Sequence, residues 1–281
     1  MNNVLIVGLG LIGGSIAKAL KASKNDHNVY GFDKSEAVLK AAIGDETINN
    51  YINIDDDFDS IKDNQIDFII ICTPLSITIE ILDLLESKRI FNTNVTITEV
   101  SSSKLLIEEK FGKLKNVVLS HPMTGSDQAG YKASIENLFH NKKAILINSN
   151  YAEEEHVNKV GNFWKLLGSS VSSMSVTEHE SAMAFASHLP HLISFALVNS
   201  IMIEDDINIS SFAAGGLKEF LRIAGSDPKM WADIFASNKH EIRRSIKSFK
   251  NSLDVLEQKF SNESELEHAI MQIKKYKDSS F

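Results

Sequence analysis

Cysteine is nearly missing from this sequence. Cys72 is the only one in 281 residues, which excludes an intramolecular disulfide and a cysteine-built metal cage. Proline is scarce as well, with four in the chain. No low-complexity linker or internal repeat is visible, so the domains are expected to pack directly against each other. A basic excess is also absent: 29 Lys and Arg stand against 37 Asp and Glu, a net charge of −8. That balance argues against nucleic acid or an anionic membrane as the main partner. No targeting signal opens the chain, since the apolar stretch 4–12 has no basic residue before it and is broken by Gly8 and Gly10. The longest uncharged run, 181–203, contains His188, Pro190, His191, Asn199 and four serines. Such a run reads as the buried helix of a soluble protein rather than a membrane span. The expected location is the cytoplasm.

What is present is the balance of an ordinary globular protein, 43% hydrophobic and 23% charged. At roughly 150 residues per domain, the length suggests two domains. Short apolar runs at 3–7, 28–32, 67–72, 95–100, 117–119 and 144–147 read as strands, and 11–22, 35–42, 77–87 and 105–111 between them as helices. Strands without polar alternation are covered on both faces, and their alternation with helices points to an α/β fold with a doubly wound, mainly parallel sheet of Rossmann type. A last helix at 157–167 and an edge strand at 171–174 would complete it. Beyond that point only helical periodicity remains, at 177–186, 188–203, 212–223, 230–260 and 264–277. The division is therefore expected near Met174, with a dinucleotide domain over 1–174 and an all-α domain over 175–281.

The first chemical signal is Gly8-Leu9-Gly10-Leu11-Ile12-Gly13. A GxGxxG hexamer is weak alone, but this one follows an apolar strand and opens a helix. Gly8 permits the tight turn, Gly10 lets backbone amides approach a pyrophosphate, and Gly13 lets helix and strand come close. The helix N-terminus adds partial positive charge for the diphosphate. Asp33 follows Gly13 by 20 residues, at the end of the second strand, where a carboxylate accepts from ribose hydroxyls. It would repel a 2′-phosphate, so NAD is expected over NADP, although Lys34 beside it is basic. Cys72-Thr73-Pro74 closes the next clear strand and is placed along the cofactor crevice. Cys72 has no evident activating partner there and reads as a small buried residue, not a nucleophile.

Three further segments carry polar groups in unusual company. Ser120-His121-Pro122-Met123-Thr124-Gly125-Ser126 follows a strand end, where His121 would project from a loop into the crevice. Ser187-His188-Leu189-Pro190-His191 lies inside the uncharged run, with Pro190 expected to kink or start a helix. His188 and His191 share one side of a helix, but no third ligand matches them, so no metal is expected. Lys218 and Arg222, spaced i, i+4, can face an anion together.

Taken in order and spacing, GLGLIGGS, HPMTGSDQAG, SHLPH and GGLKEFLRIAGSDPKMW resemble the prephenate dehydrogenase family, from Val4 to about Phe249. The resemblance implies NAD-dependent oxidative decarboxylation of prephenate to 4-hydroxyphenylpyruvate in tyrosine biosynthesis. It implies that His121 is the catalytic histidine at the ring hydroxyl and that Ser102 orients that hydroxyl and the nicotinamide, with Ser101 on the cofactor side. Ser126 would belong to the substrate pocket, His191 and Arg222 would grip the carboxylates, Trp231 would line the pocket, and Gly215 would lie near it. Glu99 and Thr124 depart from the aspartate and alanine frequent in the family. An arogenate dehydrogenase is the nearest alternative. A β-hydroxyacid dehydrogenase using Lys218, or a non-catalytic NAD(H)-sensing protein, leaves the histidine segments without a role. The helix 188–203 is apolar nearly all round, more than a small helical domain needs to bury, so a homodimer through that domain is expected.

Overall fold

The computed structural model describes residues 2–23, 27–53, 59–125, 128–203 and 209–280. Eight strands form one sheet: β1 (Asn3–Val7), β2 (Asn28–Phe32), β3 (Asn50–Tyr51), β4 (Phe68–Ile71), β5 (Thr96–Glu99), β6 (Val117–Pro122), β7 (Lys143–Ile147) and β8 (Ser170–Met174). Their order is β3-β2-β1-β4-β5-β6-β7-β8. The first six run parallel, β7 is antiparallel to β6, and β8 is parallel to β7. The strand order reverses between β1 and β4, which opens a crevice at their carboxyl ends.

The residues explain the layers. Along β1, Val4 and Ile6 enter one apolar cluster while Leu5 and Val7 enter another. In β4, Phe68 and Ile70 join the first, Ile69 and Ile71 the second. Period-two alternation thus sends apolar side chains to both faces, and each fully buried one contributes roughly 1.5–3 kcal/mol. On these faces lie α1 (Leu11–Ala22), α2 (Glu36–Gly44), α3 (Asp59–Asp63), α4 (Leu75–Ser87), α5 (Leu105–Phe111) and α6 (Glu154–Leu166).

After β8 the chain is helical throughout its described residues. Ser175 caps α7 (Val176–Met183) reciprocally with Glu178: its hydroxyl accepts from the Glu178 amide at 3.2 Å, and the Glu178 carboxylate accepts from the Ser175 amide at 2.8 Å. One π turn, Ala184–His188, joins α7 to α8 (Leu189–Ile203). Pro190 therefore stands in the first turn of α8, directly after the π turn. It lacks an amide and crowds the carbonyl four residues back, and the wider π turn just before it absorbs the conflict. Then come α9 (Gly215–Ala224), α10 (Pro228–Ser237), α11 (Lys239–Glu257) and α12 (Glu263–Ser280). The expected helix at 230–260 is two helices, because Asn238 leaves helical backbone and donates its side-chain amide to the Glu180 carbonyl at 2.8 Å. The expected helix at 212–223 begins only at Gly215.

The helix over Val176–Ile203 is long and apolar enough to cross a membrane, with 28% of its most apolar window buried. Met202, Ile203, Phe212, Phe260, Ile270, Met271 and Tyr276 are all exposed. That apolar surface is more than isolated exposed residues would give.

Candidate active site

The glycine loop has the geometry its residues call for. Gly8 sits at φ +91°, in the left-handed region, and a Cβ there would lie 2.8 Å from the Thr73 methyl. A Cβ on Gly13 would lie 1.9 Å from the Gly8 carbonyl oxygen, so helix and loop touch only because that position is glycine. Gly10 faces open space. It also stands at the N-cap of α1, where no side chain caps the helix and no acidic residue occupies the first turn. The amides at that end are left for an anion, so the residues fit the diphosphate of a dinucleotide. Leu11 and Ile12 form the first turn of α1. Asp33 follows β2 and accepts from the Leu9 amide and the Ser35 amide, each at 2.9 Å. The same carboxylate that would meet a ribose also shapes the loop. Lys34 is exposed beside it.

Cys72 and Thr73 follow β4, and Pro74 is the N-cap of α4. Burial, reinforced by Glu99, pushes the Cys72 thiol far above the usual range. It stays a neutral thiol, as a packing residue should.

His121 does not sit in a loop. It lies within β6, paired with Ile145 of the antiparallel β7, and is buried with its whole strand. The expected strand 117–119 therefore runs on to Pro122. Proline is tolerated there because it stands at the strand end, where pairing passes to the Met123 amide and the Lys143 carbonyl at 2.7 Å. Nδ1 of His121 lies 2.9 Å from Nε2 of His179, and Nδ1 of His179 lies 3.1 Å from a Glu180 carboxylate oxygen. Among the described residues, Nε2 of His121 has no hydrogen-bond partner. Burial, with Lys104, His179 and His188 close by, holds His121 well below the usual histidine value. It is a neutral imidazole at physiological pH.

Beneath it lies a fully buried ion pair, Lys104 with Glu99, both 0% exposed. Lys104 also donates to the Ser120 carbonyl at 2.6 Å, and Ser101 donates its amide to Glu99 at 2.8 Å. Ser101 is thus tied into this network, whereas Ser102 is half-buried and no hydrogen bond joins it to His121.

The helical domain supplies the opposite wall. His188 is buried next to Trp231, ring centroids 6.2 Å apart, and His191 stacks on Trp231 at 3.7 Å. Nε2 of His188 and Nε1 of Trp231 are both buried without a partner among the described residues. Burial first, with His179 and His191 adding to it, pushes His188 down to about 4. His191 donates Nδ1–H to the Ser187 carbonyl at 2.8 Å. Its pKa is lowered by burial first and by Arg222 as well, which places that guanidinium within electrostatic reach. Arg222 itself is exposed on α9 and paired with Glu219 at 3.1 Å. Lys218 and Gly215 are exposed on the same helix. Ser126 lies outside the described residues.

The structure thus gathers His121, His188, His191, Trp231 and Arg222, and adds His179, Glu180, Glu99 and Lys104. Residues 16–173 match the nucleotide-binding domain of prephenate dehydrogenase, and 175–273 its dimerization domain. The chain belongs to the prephenate dehydrogenase family. A prephenate dehydrogenase of Bacillus subtilis is 32% identical over 86% of this chain, which spans 65% of that protein's length. One from Lactococcus lactis is 28% identical over 99% of this chain and 77% of its own. The crystal structure of the Aquifex aeolicus prephenate dehydrogenase, in complex with hydroxyphenyl propionate and NAD+, is similar at 31% identity. It covers 99% of this chain and 98% of that one, with a TM-score of 0.89. Family membership removes the β-hydroxyacid dehydrogenase reading.

Proposed function

We propose that this prephenate dehydrogenase family member catalyses the NAD-dependent oxidative decarboxylation of prephenate to 4-hydroxyphenylpyruvate, a step of tyrosine biosynthesis in the cytoplasm. The observation that carries it is a neutral, buried His121 whose Nε2 has no partner among the described residues, with His188 close by and linked in turn to Trp231, His191 and Arg222. Residues 1–174 would hold the cofactor, through Gly8–Gly13, Asp33, Lys34, the turn Cys72-Thr73-Pro74 and Ser101. Residues 175–281 would hold the substrate and pair two copies, covering the apolar faces of α8 and α12.

NAD+, when bound, supplies the acceptor for the hydride leaving the hydroxyl-bearing ring carbon. His121 takes the hydroxyl proton on Nε2 as the carbonyl develops and returns it to the phenolate oxygen once the ring is aromatic. The ring carboxylate leaves as CO2, and its bonding electron pair completes the aromatic ring, so no covalent bond to the protein is needed. Ser102 orients the hydroxyl, and Gly215 borders the pocket. Two carboxylates in a protein of net charge −8 need local cations. Arg222 offers a two-pronged donor for one of them.

Two measurements check this reading. Purified protein given prephenate and NAD+ should release CO2 and form NADH in equal amounts; release of either without the other would refute it. Arg222→Ala should raise KM for prephenate roughly 10- to 100-fold while kcat changes little, the loss of one charge-assisted contact. An unaltered KM would remove Arg222 from the carboxylate site.

A further inference from the structure

The chain of contacts behind His121 assigns the protons once His179 carries a single one. Glu180 is 3% exposed, and its carboxylate receives the Lys104 amide at 2.6 Å on one oxygen and the Ser103 hydroxyl at 2.9 Å on the other. Burial works to raise its pKa, but the bonds from His179, the Lys104 amide and Ser103 outweigh it and hold the carboxyl below the usual range. An ionised carboxylate only accepts. Nδ1 of His179, 3.1 Å away, must therefore carry a proton and donate it. With that single proton on Nδ1, Nε2 of His179 is a lone pair, and at 2.9 Å it receives a proton from Nδ1 of His121. Nε2 of His121 is left unprotonated.

We propose that His179 and Glu180 are positioning residues that lock His121 in the tautomer whose Nε2 can accept the substrate's hydroxyl proton. This rests on His121 serving as the base. Both partners come from the first turns of α7, in the helical domain, so the base on β6 becomes competent only when the two domains are packed. When Nε2 takes the hydroxyl proton, Nδ1–H still points at His179, and Glu180 lies behind to steady the charge. The charged and titratable groups facing His121 are Lys104 from the β5–α5 connection, His179 from α7 and His188 from the π turn. Of these, Lys104 can only donate, and His179 is the one bonded to His121.

The test has two arms. In the wild-type protein labelled with 15N at histidine, the His121 signal, assigned by its loss in His121→Asn, should report a neutral ring protonated on Nδ1. In Glu180→Gln the amide can donate towards His179 and reverse the chain, so His121 should shift towards the Nε2-protonated form. That variant should lose roughly 10²- to 10⁴-fold in kcat, with KM for prephenate and Kd for NADH changed little, while Glu180→Asp should restore much of the rate. An Nε2-protonated His121 in the wild type would overturn the proposal, and so would full turnover in Glu180→Gln. A wild-type protein that does not turn over prephenate, yet shows the Nδ1 tautomer, would instead refute the assigned reaction and leave the proton assignment standing.

Discussion

Replacing His121 with Asn should leave NADH binding intact and cost roughly 10²- to 10⁴-fold in turnover of prephenate, the usual contribution of a positioned base. Asparagine can still pair with the neighbouring strand through its backbone, since His121 is held by β6–β7 pairing, so the fold should survive. What it cannot do is take up a proton. The wild-type pH profile should carry the matching signature. Because burial and the nearby Lys104, His179 and His188 depress the His121 pKa, the imidazole is neutral through physiological pH and becomes protonated only on the acid side. The rate constant kcat/KM should therefore fall with acid at a midpoint below the ordinary histidine value, and this limb should vanish in the variant. Steady-state kinetics across pH, with fluorescence titration of NADH, would check both. Near-normal turnover in the variant would take His121 out of the chemistry.

The second large effect concerns stability. Lys104→Met should destabilise the protein by about 3–5 kcal/mol, because it strands the Glu99 carboxylate in a site with no solvent. For a domain of this size that lowers the melting temperature by on the order of 10 °C. The Lys104 ammonium also holds the Ser120 carbonyl, one residue before His121, so the remaining folded protein should turn over more slowly. Replacing both partners, Lys104→Met with Glu99→Leu, should recover part of the loss, since no charge is left unpaired. Thermal unfolding of the wild type and the two variants decides it. A Lys104→Met protein as stable as the wild type would show that the pair is not buried as the structure has it.

The features legible in the sequence are those set by local chemistry. Apolar runs without alternation, as in Phe68–Ile71, foretold strands covered on both faces, and the spacing of Gly8, Gly10 and Gly13 foretold the tight loop between β1 and α1. The change from strand-and-helix alternation to helices near Met174 was equally plain. The rest depends on groups distant in sequence. Nothing near His121 reveals that β7 reverses direction and extends β6 through it. His179 and Glu180 lie 58 and 59 residues beyond His121, on a helix that reads as an ordinary amphipathic segment. The one available clue was the run Glu178-His179-Glu180 just after the Ser175 cap, and only the fold shows that the last two are buried. Lys104 lies two residues beyond Ser102 in the sequence, but only the fold shows it closing on Glu99. The break at Asn238 was hidden for the same reason, because its cause is the Glu180 carbonyl of another helix.

The central claim is that His121 and the wall opposite serve oxidation of a cyclohexadienol dicarboxylate with NAD+. Its most direct test is NADH or NADPH formation by the purified protein, followed by absorbance, with prephenate and arogenate each offered NAD+ and NADP+. Rapid reduction is expected with prephenate and NAD+ and much weaker use of NADP+, because the Asp33 carboxylate, if it meets the ribose as proposed, would repel a 2′-phosphate. No NADH from prephenate, or turnover with arogenate alone, would contradict it.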